Sequence, residues 1–168
     1  MSGLAIAKSA SRAWDAAAAL SIVQEKKGMD GALMPILHAL NDEFGYVDAS
    51  IVPVIADELN LSRAEVHGVL TFYHEFRRAP AGRHVVKICR AEACQSMKGR
   101  ELEEHIKRHL RVELGETSPD KNVTFEAVYC LGLCASAPSI MIDNKVHGRV
   151  TPAKFDKLAE SMLNGERH

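Results

Sequence analysis

Cysteine is scarce in this 168-residue chain: there are four, and none precedes position 89. Aromatic residues make up only 5%. Neither sign of charge prevails, with 21 basic against 22 acidic residues and a formal net charge of −1. That balance excludes a general electrostatic drive toward nucleic acid or an anionic membrane surface. The short basic runs Arg77-Arg78 and Lys107-Arg108-His109 read as solvated surface. No stretch approaches the ~20 apolar residues of a membrane-spanning helix. The start, Met1 to Lys8, has no basic segment leading into an apolar one, as a secretory signal would. The expectation is a cytoplasmic protein without membrane insertion and without a nucleic-acid partner. Also missing are a Cys-x-x-Cys, a P-loop, a Gly-rich dinucleotide fingerprint after a strand and a Ser-His-Asp pattern. No catalytic residue is therefore expected in this chain, and its eight histidines read as scattered. His67, His74 and His84 read as surface, partner-contact or packed residues rather than ligands.

What is present falls into two halves of different period. Residues 1–11 read as a flexible tail of small residues. From 12 to 79 the signals are helical. An Ala-rich segment runs from Arg12 to Lys27, with Gly28 as its stop. A second helix is expected from a cap at Asp30 to Phe44, ended by Gly45, and a third from a cap at Asp48 through Ala49 to Leu59. Ser62-Arg63-Ala64-Glu65 is a capping box opening a fourth. Pro35 and Pro53 fall within these patterns, where a proline kinks or resets a helix. Within Thr71–Phe76 the blander expectation for Phe72 and Tyr73 is core packing, with a partner surface as the alternative.

Ala79-Pro80-Ala81-Gly82 breaks the pattern, and a second domain is expected over 83–164. His84 to Cys89 reads as a strand, Gly99 to Val112 as a helix and Asn122 to Tyr129 as a second strand. Ser139–Ile142 and Lys145–Gly148 flank Asp143-Asn144, a two-residue hairpin turn. Thr151-Pro152 caps a last helix ending near Leu163. The fold class is thus α+β: an N-terminal helical bundle, then a β-α-β-β-β-α domain on the thioredoxin-like plan.

Cys89 and Cys94 enclose four residues, Cys130 and Cys134 three, and thirty-five separate the pairs. Each pair begins where a predicted strand ends, so two loops can deliver four thiolates to one sheet edge. Two irons bridged by sulfide need such a set, two soft anionic ligands each. Buried unliganded cysteines fit poorly with paired spacing, and disulfides with a reducing compartment. Thiol–disulfide catalysis lacks its motif. Structural zinc stays open beside iron–sulfur on spacing alone, although gaps of four and three tilt toward iron–sulfur.

The pattern Cys-x₄-Cys…Cys-x₃-Cys resembles the thioredoxin-like [2Fe–2S] ferredoxins of the NADH dehydrogenase 24-kDa subunit type. So do Leu37-His38-Ala39-Leu40, Phe44-Gly45-Tyr46-Val47, the run Leu59 to Phe76, Cys130-Leu131-Gly132-Leu133-Cys134, Ala137-Pro138 and Val146 to Pro152. The resemblance spans roughly residues 20–163 and implies one [2Fe–2S] cluster held by Cys89, Cys94, Cys130 and Cys134. It further implies an FMN- and NAD-binding subunit as direct neighbour. One loop departs from the respiratory type, which usually has Thr or Ser after its first cysteine; here Arg90 stands there. The wording Arg90-Ala91-Glu92-Ala93-Cys94-Gln95 is most similar to the gamma subunit of soluble NAD-dependent molybdenum formate dehydrogenase. That likeness implies a larger molybdenum and iron–sulfur subunit in the same complex, with FMN, NAD and molybdenum cofactor on partners only. The equivalent subunit of an NADH:quinone oxidoreductase or an NAD-reducing hydrogenase is the alternative, and a zinc-stabilised interaction module a further one. Arg90 is a candidate for raising the cluster potential, since a positive charge nearby favours the reduced state; an Arg90 that is simply exposed or contacts a partner is the equal alternative.

Overall fold

A computed structural model describes residues 13–164. The expected tail at 1–11 and the helix start at Arg12 lie outside them. The chain divides into two compact units, 1–80 and 81–168.

The first unit is helical. Asp15 caps α1 (Ala16–Lys26), its carboxylate accepting from the Ala17 and Ala18 amides. The helix ends with its C-cap at Lys27, directly before Gly28, but the left-handed conformation falls on Gly31 rather than on Gly28. Asp30 does not cap α2 (Leu33–Phe44), which starts from Ala32 without a side-chain cap. A missing cap costs about 1 kcal/mol. The fully buried Ile36, Leu37, Leu40 and Phe44 offset this, at about 1.5–3 kcal/mol each. Burial of one face, not capping, decides that this helix forms. Gly45, at φ 75°, closes it by donating to the Asn41 carbonyl.

Asp48 caps a 3₁₀ turn, Ala49–Ile51, that leads into α3 (Val52–Leu59). Neither proline kinks a helix. Pro35 is the third residue of α2 and Pro53 the second of α3, in first turns whose amides have no intrahelical acceptor to lose. The Ser62–Glu65 capping box opens α4 (Arg63–Phe72) with both reciprocal bonds, 3.1 and 2.8 Å. Phe72 and Tyr73 are not core residues. Phe72 is 72% exposed and Tyr73 42% exposed, stacked edge-on to one another; the buried aromatic of this segment is Phe76.

The second unit follows β-α-β-β-β-α order, with one addition. Strand β1 (His84–Cys89) is followed by a short helix α5 (Glu92–Ser96) that no local pattern announces, then by α6 (Gly99–Leu110). Next come β2 (Val123–Val128), the hairpin β3 (Ile140–Ile142) and β4 (Lys145–His147), and α7 (Pro152–Leu163). The strands lie in the order β2-β1-β3-β4. Strands β1 and β2 are parallel, and β3 is antiparallel to both β1 and β4. Asp143 and Asn144 adopt φ 46° and 71°, the mirror-image turn that suits a two-residue hairpin. Asp143 also ties this turn to β1, accepting from the Val85 amide at 2.8 Å and meeting the His84 ring at 2.6 Å. Thr151 caps α7 through the Lys154 amide. Val86, Ile88, Phe125 and Ile140 from the sheet pack with Leu102 and Ile106 of α6 and Phe155 and Ala159 of α7. That core fixes the sheet whose loops carry the cysteines.

Candidate metal centre

Two parallel neighbours in register end at the same edge. Cys89 is the last residue of β1 and pairs with Val128, the last of β2; Cys130 follows two residues later. The ladder continues one step beyond the strands, with the Arg90 amide donating to the Val128 carbonyl at 2.8 Å. The Cys89 amide donates to Ser139 from the other side at 3.1 Å. Cys89 is therefore pinned by its backbone to both flanking segments. Cys94 sits inside α5, and both the Cys94 and Gln95 amides donate to the Ala91 carbonyl. Gly99 packs against the Cys94 carbonyl so closely that a Cβ there would lie 2.5 Å from the oxygen.

The second loop bends tightly. Cys130 has φ 149°, a region that residues other than glycine rarely enter, and Gly132 has φ 75°. Through this bend the Gly132 amide donates to Cys130 Sγ at 3.3 Å. Cys134 heads a 3₁₀ turn, Cys134–Ser136, that the Arg149 amide holds through the Ser136 carbonyl. A Cβ on Gly148 would lie 2.8 Å from Ser136 Cβ, so the end of the hairpin closes against this loop.

The four thiols form two unlike pairs. Cys89 and Cys94 are buried, at 3% and 2% exposure, whereas Cys130 and Cys134 are exposed. Cys130 Sγ and Cys134 Sγ stand 3.8 Å apart. Two thiolates at one metal with bonds of about 2.3 Å in tetrahedral geometry are separated by about 3.8 Å. A single zinc would need all four sulfurs at that spacing. Among the described residues, the three-ligand group gathered within 4.8 Å lies elsewhere and includes no cysteine. Four soft thiolate donors arriving as two pairs, two for each iron, fit a two-iron cluster.

The surroundings treat the sulfurs differently. Burial pushes the Cys89 thiol up, but hydrogen bonds from the Ala91 amide, Cys94, the Leu131 amide and Ser139 outweigh it, and the net direction is down. Leu131 belongs to the second loop, so the two cysteine loops interlock at Cys89. Burial pushes Cys94 up, only partly offset by the Ser139 hydroxyl 3.5 Å from its sulfur. Cys134 is pushed up by its hydrogen bond to Cys130 and the negative charge there, then by burial and by the charges of Cys94 and Cys89. Negative charge on neighbouring sulfurs thus disfavours the thiolates of Cys94 and Cys134, a repulsion that bound cations relieve.

A scan against protein families matches residues 19–163 to the thioredoxin-like [2Fe–2S] ferredoxin family. This chain belongs to that family. The family's cofactor is one [2Fe–2S] cluster. Among curated proteins the chain is similar to the NADP-reducing hydrogenase subunit HndA of Solidesulfovibrio fructosivorans, 33% identical over 77% of this chain and 75% of the relative. It is also similar to an NADH-quinone oxidoreductase subunit of Pseudomonas aeruginosa, 34% identical over 79% of this chain and 80% of that protein. Among solved structures, an NAD⁺-reducing [NiFe]-hydrogenase in the air-oxidised state shares the fold, with TM-score 0.65 and 21% identity over 80% of this chain. The match spans 23% of that hydrogenase chain.

Arg90 does not present a free charge. Its Nε lies 3.1 Å from Oε2 of the buried Glu103, an ion pair without hydrogen-bond alignment. Lys107 approaches the other Glu103 oxygen at 3.5 Å. His67 and His74 are exposed, and His84 is paired with Asp143. The histidines are not all scattered, however: His105 and His109 converge on Asp156. Their four-residue spacing on a helix was the available signal; their partner on α7 was not readable from spacing. Ser139 and the Leu131 amide were equally invisible, because they reach the sulfurs through the sheet order.

Proposed function

We propose that Cys89, Cys94, Cys130 and Cys134 ligate one [2Fe–2S] cluster, and that the chain is an electron-transfer subunit of an NAD-linked oxidoreductase. The observation that carries this is the delivery of two thiol pairs, one buried and one exposed, to the shared edge of two parallel strands. When bound, the cluster supplies a reversible one-electron store. The chain's part is to hold the sulfurs, to donate hydrogen bonds to them from Gly132, Leu131, Ala91 and Ser139, and to leave one side open. The second loop carries Cys130, Cys134 and Tyr129 (74% exposed), which offer thiolate and aromatic surface to a docking partner. The relatives named above serve an NADP-reducing hydrogenase and an NADH-quinone oxidoreductase, which supports a neighbouring subunit that binds FMN and NAD.

For the parent complex, the first cysteine loop favours a soluble, cytoplasmic formate dehydrogenase with a larger molybdenum and iron–sulfur subunit. Arg90-Ala91-Glu92-Ala93-Cys94-Gln95 supports it by resemblance. The second reading, a hydrogenase or quinone reductase of the same architecture, is favoured by the two relatives. No described helix is long and apolar enough to cross a membrane. Affinity purification of the tagged chain from its host separates the readings. Formate-dependent NAD⁺ reduction in the co-purified material is expected; hydrogen-dependent reduction or membrane-bound quinone reduction in its place would overturn the formate assignment.

A further inference from the structure

Two helices of the second unit gather a side-chain group that the cysteine centre does not use. His105 and His109 are one turn apart on α6 and so share a face. Asp156, on α7, meets both. His105 Nε2 lies 2.7 Å and His109 Nδ1 3.1 Å from the same oxygen, Asp156 Oδ1. The three ligand atoms all lie within 4.8 Å of one another. The fully buried ring of Phe155 stands nearly perpendicular to both imidazoles, at centroid distances of 6.2 and 5.5 Å. Both imidazoles thus lie against one core side chain.

We propose that His105, His109 and Asp156 form a binding site for a divalent transition-metal ion of the zinc type, clamping α6 to α7. Bonds of about 2.0–2.1 Å in tetrahedral geometry place ligand atoms about 3.3 Å apart. The present separations from Asp156 Oδ1 need to open by about 0.6 Å at His105 and about 0.2 Å at His109, and the two imidazole nitrogens lie within 4.8 Å of one another. Two imidazole nitrogens with one carboxylate oxygen suit zinc, nickel, copper or cobalt, whereas magnesium and calcium take oxygen sets. His109 is exposed, and an open cleft lined by Arg100, Glu104 and Arg108 adjoins His105, so the group lies at the surface. The site joins residues fifty-one positions apart in sequence, so an ion bound there resists separation of the two helices.

Calorimetric titration of Zn²⁺ into the full chain, already carrying iron and sulfide and at pH 7.5, tests this. One equivalent is expected to bind with the visible absorption of the chain unchanged, and Mg²⁺ is expected not to bind. His105→Gln, His109→Gln and Asp156→Asn are each expected to weaken Zn²⁺ at least tenfold. Zn²⁺ is also expected to raise the thermal midpoint of the parent but not of His109→Gln, whose exposed position makes it the variant that folds most safely. Binding that is equal in parent and variants, or no binding at millimolar Zn²⁺, overturns the proposal and leaves a hydrogen-bonded His–Asp group.

Discussion

Replacing Gly99 by alanine sets two physical effects against each other. Gly99 is the first residue of α6, and alanine is favoured over glycine in helix interiors by about 1 kcal/mol. On propensity alone the variant is more stable. The packing says otherwise, because the new Cβ would lie 2.5 Å from the Cys94 carbonyl oxygen and 2.9 Å from its carbon. Both contacts are to backbone, which cannot swing aside as a flexible side chain can. Relief requires α5 and the start of α6 to part by several tenths of an ångström. Overpacking of this kind costs about 1–3 kcal/mol. At a helix start the propensity gain falls below its interior value, so the clash prevails. In a unit of this size each kcal/mol is worth about 4–8 °C in the thermal midpoint. Gly99→Ala is expected to lower the midpoint of the second unit by several degrees. It should also speed the loss of visible absorption from the loaded protein, because Cys94 moves with its carbonyl. Gly68→Ala is the matched control: Gly68 is exposed within α4 with nothing within 4 Å of an added Cβ, and a gain of about 0.5–1 kcal/mol is expected. A Gly99→Ala protein as stable as the parent, with unchanged absorption decay, refutes the reasoning.

Three further outcomes follow from the site and its surroundings. Ser139→Ala removes the hydroxyl 3.5 Å from Cys94 Sγ and is expected to lower the reduction potential, since hydrogen bonds to sulfur favour the reduced state; an unchanged potential in a redox titration counts against it. Arg90→Thr is expected to lower the potential too. It should also destabilise the fold by about 1–3 kcal/mol in denaturant melts, less than a fully buried pair would, because Arg90 is partly exposed and Lys107 remains near Glu103. Acid should weaken the fold through Asp48, Glu65 and Asp120, whose carboxyls are held below their ordinary values by hydrogen bonds from Ser50, Ser62, and Ser118 with Asn122. Their contribution is complete above the ordinary carboxylate range and is lost as pH falls through the lowered folded values. In acid melts, Glu65→Gln should therefore depend less on pH than the parent.

Where the signal was local, the chain could be read from its residues. The Ser62–Glu65 box, the Asp143-Asn144 turn and the strand His84–Cys89 depend on neighbours in sequence, and each stands where its residues imply. The start of α2 was missed because buried Ile36, Leu37, Leu40 and Phe44 form that helix without the cap that Asp30 suggested. Core packing is the blander expectation for Phe72 and Tyr73 and a partner surface the alternative; the helix ends at Phe72, and the chain turns before Phe76 takes the buried place. At the cysteines, the spacing and strand ends were legible, but the division into a buried and an exposed pair was not. That division depends on α5 and on β3 lying beside β1, which brings Ser139 to Cys94. The neutralisation of Arg90 by Glu103 likewise needs α6 laid against the loop.

The central claim, that two iron ions rather than one zinc occupy the four-cysteine edge, is tested most directly by metal and sulfide analysis with EPR on anaerobically prepared full-length chain. About two irons and two acid-labile sulfides per chain are expected. A single [2Fe–2S] signal should appear on reduction, and serine at Cys89, Cys94, Cys130 or Cys134 should disrupt it. A colourless protein holding one zinc at the cysteines, with no EPR signal after reduction, would contradict the account.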